Sequence, residues 1–192
     1  MLFRSLEVVT EREWEELTDR ARNYLKWISV KAESIDALAP RPLQKSTRGF
    51  ELLAIDRDGN SFGEIVERSQ ELSIPSVLVR FASLIATFLT VRLLSQQMER
   101  DHEIMPSLTF SQNVDTNYLN YPRTLKTLLE LFPEYHEMFY FEINEEVTED
   151  YLTTIRTLAE DLGIRLALDD TNKMDVNVHH QLLDLADWIK ID

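Results

Sequence analysis

Phe139-Tyr140-Phe141-Glu142-Ile143-Asn144-Glu145 is an aromatic run that stops on acid. The cadence returns twice more: Ile164 to Leu168 ends in Asp169-Asp170, and Trp188-Ile189 runs into Lys190-Ile191-Asp192. Between these runs the spacing predicts helices over Glu149 to Leu162, stopped by Gly163, and over Val178 to Leu185. Repeated strand-helix-strand units imply a parallel sheet with helices outside, either open or closed into a barrel. In such a protein the carboxyl ends of the strands face one mouth, so acids distant in sequence converge there. Carboxylates gathered at a mouth are hard oxygen ligands suited to divalent cations.

Upstream, Ser107 to Asn113 is a strand candidate and Pro122 to Leu131 a helix. Residues 62 to 72 and 77 to 98 read as helices, the second largely buried. Gly49 to Ile55 reads as a strand closed by the turn Asp56-Arg57-Asp58-Gly59-Asn60. Ile28 to Ile35 is a further strand, followed by a loop around Pro40 and Pro42. Thr10-Glu11-Arg12-Glu13 has the form of a capping box, and Trp14, Leu17, Ala21, Tyr24, Leu25 and Ile28 recur at helical spacing behind it. The expected organisation is an N-terminal helix over residues 1–27 and a β/α domain over 28–192. The expected fold is α/β, a TIM-like β/α barrel that is incomplete, with about six of the eight strands a closed barrel needs. The last five residues read as an interior strand, so the expectation is either a fragment or an incomplete barrel.

Composition narrows the function classes. Apolar residues make up 44% of 192, enough for one domain with a sizeable core. The 34 acidic and 20 basic residues leave a formal net charge of -14, which repels a nucleic-acid polymer or an anionic membrane. A small anionic nucleotide stays open, because a bound metal reverses local potential. Without cysteine there is no disulfide framework, thiolate nucleophile or Cys-type zinc site. Met1 to Thr10 lacks a signal-peptide apolar core, and Phe81 to Val91 falls far short of the ~20 residues of a membrane span. A cytoplasmic protein without membrane insertion is expected.

From about residue 48 onward the chain resembles an EAL domain, the bacterial family that hydrolyses cyclic di-GMP on a TIM-like barrel with two divalent metals. Glu142-Ile143-Asn144-Glu145 resembles the family's E-x-T-E motif, Asp169-Asp170 its paired aspartates, and Lys190-Ile191-Asp192 its K-I-D motif. Glu51-Leu52-Leu53 resembles the naming motif with Leu in place of Ala, and Asn113 falls at the metal-binding asparagine. No single three-residue match is specific, but five in this order and spacing are.

The resemblance implies that Glu51, Asn113, Glu142 and Asp169 hold one Mg²⁺ or Mn²⁺, and that Asp169, Asp170 and Asp192 serve a second. It gives Glu51, Lys190 and Glu145 catalytic roles, Lys190 orienting the attacking water or steadying the phosphate. Glu145 braces the loop after its strand. Two metals can acidify a bridging water and neutralise charge on an in-line phosphoryl transition state. The departures are equally specific. The family's D-D-F-G-x-G loop is replaced by Asp169-Asp170-Thr171-Asn172-Lys173-Met174, where the family loop couples metal binding to dimerisation. An expected phosphate-binding arginine is Ile55, and the Y-Q-P-I signature is absent from Ile28 to Ile35. The family's glutamate of the seventh strand and glutamine of the eighth have no counterpart before Asp192.

Blander readings stand beside these. Asp169-Asp170 is also compatible with a solvated turn, and Asn113 with an ordinary strand-end residue. Glu145 and Glu146 fit the first turn of a helix as well as a site. Lys190 could pair structurally with Asp192 or Asp170. Glu142, after three aromatics, needs a partner to offset its desolvation. His179 and His180 are adjacent and cannot both face one site from a helix; His102 and His136 have no ligand partner nearby. The expected function is a degenerate EAL-like module that binds cyclic di-GMP or a protein partner and regulates, with a homodimer open; the alternative is an active metal-dependent phosphodiesterase.

Overall fold

The computed structural model describes residues 11–17, 19–35, 49–100, 109–132, 138–169 and 174–190. Two compact units are present, one from Met1–Asp36 with Phe50–Ser107, the other from Ala37–Gly49 with Leu108–Asp192. Thr10, Pro40, Pro42, His102, His136, Asp170 and Asp192 lie outside the described residues.

The first unit begins with helices α1 (Glu11–Glu16) and α2 (Asp19–Leu25). One continuous helix was expected here; the break falls at Leu17, which is buried at the bend. The sequence Thr18-Asp19 supplies a reason, since a hydroxyl followed by an acid is itself a helix-start signal. Strands β1 (Ser29–Ile35) and β2 (Gly49–Ile55) are hydrogen-bonded neighbours. Helix α3 (Phe62–Glu71) starts at Ser61, whose N–H and hydroxyl both donate to Glu64. Helix α4 (Ser76–Arg100) packs on β1, α2 and α3. Its stretch Ser76–Leu93 has the length and apolarity of a membrane span, but 56% of it is buried in the fold, as in a core helix. Leu78, Phe81, Leu84 and Phe88 have no exposed surface.

The second unit is built on β3 (Thr109–Asn113), β4 (Phe139–Ile143), β5 (Arg165–Leu168) and β6 (Trp188–Ile189), each parallel to the next. Helices α5 (Thr116–Leu119), α6 (Pro122–Glu130), α7 (Leu152–Leu162, after a 3₁₀ turn at Glu149–Tyr151) and α8 (Val176–Leu183) connect them. Gly163 ends α7 at φ +65, a left-handed position that suits glycine. With six described strands against the eight of a closed barrel, the α/β fold is an incomplete TIM-like barrel.

Register sorts the residues of this sheet. Ser111 is opposite Tyr140 and Asn113 opposite Glu142; Arg165 and Ala167 follow on β5, and Trp188 lies beside Ala167. Side chains alternate along a strand, so these residues share one face. The opposite face carries Phe110, Phe139, Phe141, Ile143, Leu166 and Leu168, all buried. The apolar face supplies core; the other is left for polar work.

Candidate functional site

Three acidic or basic side chains meet where the parallel strands of the second unit end. Glu142 is the penultimate residue of β4, while Asp169 and Lys190 directly follow β5 and β6. Backbone pairing extends past the strands: the Asp169 N–H donates to the Ile143 carbonyl, and the Lys190 N–H to that of Leu168. This places Lys190 on the same face as Glu142. Its Nζ donates to Glu142 Oε2 at 3.1 Å and to Asp169 Oδ2 at 2.9 Å. Glu142 is 1% exposed, so its charge is carried inside the fold by this contact.

The expectation that Lys190 pairs with Asp170 or Asp192 names residues outside the described set; the partners seen are Glu142 and Asp169. Asn113 sits at the end of β3 as register partner of Glu142, with its side chain exposed. Glu145 lies in the turn after β4, half-buried; with Glu146 it precedes the helical turn at Glu149 and is not a first-turn acid. Glu51 is half-buried on β2 and belongs to the first unit, as does Ile55. Among the described residues no three of His, Cys, Asp or Glu gather as a metal site. The described carboxylates at this mouth, Glu142 and Asp169, are already bridged by the Lys190 ammonium, and Asn113 stands exposed beside Glu142 at the end of β3. Of the acids expected at a metal centre, Asp170 and Asp192 lie outside the described residues.

Two further constellations escaped sequence reasoning. At the amino end of the same polar face, the Arg165 guanidinium lies 4.3 Å over the Tyr140 ring, and Tyr140 lies 4.5 Å from Trp188. Burial raises the Tyr140 pKa, with Arg165 opposing the shift. On the neighbouring strand β3, the hydroxyls of Ser111, level with Tyr140, and Thr109, two residues before it, are buried and have no hydrogen-bond partner among the described residues. In the first unit, a cavity of about 680 Å³ is lined by Arg20, Tyr24, Trp27, Asp56 and Arg68 among others. Asp56 there accepts from the N–H groups of Asp58 and Asn60, the Asn60 amide and the Tyr24 hydroxyl. Only the Asp-x-Asp-Gly-Asn turn signal hinted at this loop.

No family model matches the chain, and no curated protein matches it. Solved structures do. The FimX EAL domain superposes with a TM-score of 0.64 at 17% identity, covering 90% of this chain and 70% of its own. The fold is EAL-like. Bd1971, an EAL enzyme solved with cAMP and cyclic di-GMP bound, gives a TM-score of 0.65 at 15% identity over 90% of this chain and 47% of its own. The FimX EAL domain from Pseudomonas aeruginosa bound to c-di-GMP gives 0.59 at 17%, covering 89% and 69%. Strands β3 to β6 deliver Asn113, Glu142, Asp169 and Lys190 in that order.

Proposed function

We propose that this EAL-like chain is a regulatory module of bacterial cyclic di-GMP signalling that binds the nucleotide without efficient turnover. One observation carries the reading: the Glu142–Lys190–Asp169 cluster stands at the carboxyl mouth of parallel strands in an EAL-like fold. Such a mouth is where β/α proteins hold ligands. The buried Glu142 and the half-buried Asp169 fix the Lys190 ammonium, so a positive group is presented in a chain of net charge -14. The ammonium offsets one of the two acids and leaves the cluster net negative, so this mouth repels a phosphodiester less than two bare carboxylates would.

Turnover demands more. With Ile55 where the family has an arginine, one charged hydrogen bond to phosphate is lost, worth roughly 1.5–3 kcal/mol. A reacting group misplaced by ~1 Å loses about 100-fold in rate. Cytoplasmic location, a homodimer and a protein partner belong to the same proposal. The second reading, a Mg²⁺- or Mn²⁺-dependent phosphodiesterase using Glu51, Asn113, Glu142, Asp169, Asp170 and Asp192, with Lys190 and Glu145 in support, is favoured by the convergence of Glu142, Asp169 and Lys190.

Titrating cyclic di-GMP into the purified chain by calorimetry, followed by chromatography of an incubation with Mn²⁺, separates the two. Saturable binding with intact nucleotide is expected. Linear product that disappears in Glu51→Ala would establish a working enzyme, and absence of binding would sink both.

A further inference from the structure

We propose that Lys190 is the resident counter-ion of the Glu142–Asp169 pair, holding the position between the two carboxylates that a divalent cation would otherwise bridge. The Nζ lies 2.9 Å from Asp169 Oδ2, the length of a charge-assisted hydrogen bond, and 3.1 Å from Glu142 Oε2, within ordinary hydrogen-bond range. A buried carboxylate requires a paired charge, and for Glu142 that charge is already supplied by the chain itself. The register enforces the placement. Lys190 follows Trp188 by two residues on the face shared with Ala167 and Glu142, so its stem runs into the polar side of the sheet.

The chemistry of the donors points the same way. Mg²⁺ asks for near-octahedral oxygen at ~2.0–2.1 Å and commonly keeps several waters beside one or two carboxylates, so the two acids alone would admit it and the ammonium between them is what competes. An ammonium asks only for acceptors near 3 Å, which the pair provides. A divalent ion entering this gap must displace Lys190 or share the gap with a like charge. The consequence is a site balanced without metal, with weak divalent affinity set by competition from its own lysine. This inference rests on the proposed site and not on its nucleotide.

The test uses the full chain, treated with chelator, with no cyclic di-GMP present, so its outcome is independent of the nucleotide titration. Mn²⁺ is titrated calorimetrically into wild type, Lys190→Met and Lys190→Met/Glu142→Gln. Lys190→Met should bind Mn²⁺ at least tenfold more tightly than wild type, and the double variant should lose that gain. Equal affinities, or tighter binding by wild type, would overturn the proposal. A second readout needs no variant: in ¹⁵N-lysine-labelled wild type, one exchange-protected ammonium signal should persist in chelator and vanish only as Mg²⁺ saturates the site. A signal that survives Mg²⁺ saturation would show that lysine and metal occupy different places.

Discussion

The Tyr140 and Trp188 rings lie 4.5 Å apart across the intervening strand β5, at an interplanar angle of 31°. The contact clamps β4 to β6, the two strands that deliver Glu142 and Lys190. Aromatic pairs contribute about 0.5–1.5 kcal/mol beyond area burial. A double-mutant cycle of Tyr140→Leu and Trp188→Leu, read by urea unfolding, should return a coupling of that size. Strict additivity would show that the rings are neighbours without being partners.

Asp175 is the start signal of helix α8, its carboxylate accepting from the N–H groups of Asn177 and Val178. Asp175→Ala should cost about 1 kcal/mol, within the 0.5–2 range of such caps, while Asp175→Ser should recover most of it. Thermal melts of the three proteins decide the point.

The Tyr24–Asp56 pair predicts stability loss at both ends of the pH scale. Burial pushes the Asp56 carboxyl up, but hydrogen bonds from Asn60 and Asp58 outweigh it and the pKa is lowered. A lowered folded pKa gives stability that is present above the unfolded value of ~3.9 and lost as pH falls through the folded one. Tyr24 is pushed up to about 12 by burial first and the Asp56 charge second. Its contribution is complete below the unfolded value of ~10 and disappears as pH rises towards that raised value. Melting temperature should fall through this alkaline window in wild type and remain flatter in Tyr24→Phe. Asp56→Asn should flatten the acid limb.

Ile55 closes β2 and is half-buried. If its side chain stands where a phosphate grip is missing, Ile55→Arg restores a charged hydrogen bond of roughly 1.5–3 kcal/mol, an affinity gain of about tenfold or more for cyclic di-GMP. Unchanged affinity would place the nucleotide elsewhere.

Much of the fold was legible because periodicity and punctuation agreed. Gly49–Ile55 forms the strand expected from its sequence, and Gly163 stops its helix as a left-handed cap. The N-terminal helix was drawn too long because apolar spacing continues across Leu17 while the chain bends there. The last five residues read as a strand, of which regular pairing covers Trp188–Ile189 among the described residues, with the Asp187 carboxylate accepting from the Leu166 N–H. At the site, residue types pointed to Glu142 and Asp169, yet their mutual partner did not follow from spacing. Lys190 reaches a carboxylate 48 residues away, and only strand register brings the two together. The Arg165–Tyr140–Trp188 stack was invisible for the same reason.

Membership of the polar face in the second unit follows numerical parity: odd positions on β3 and β5, even positions on β4 and β6. Substitution at any one position leaves that parity intact. A single inserted or deleted codon inside β4 does not, because it exchanges Glu142 for Ile143 or Phe141 and turns the carboxylate into the apolar core face as an aliphatic or aromatic group takes its place. Divergence in this lineage is therefore expected to be permissive in residue identity and in loop length, and intolerant of any change in the length of a strand.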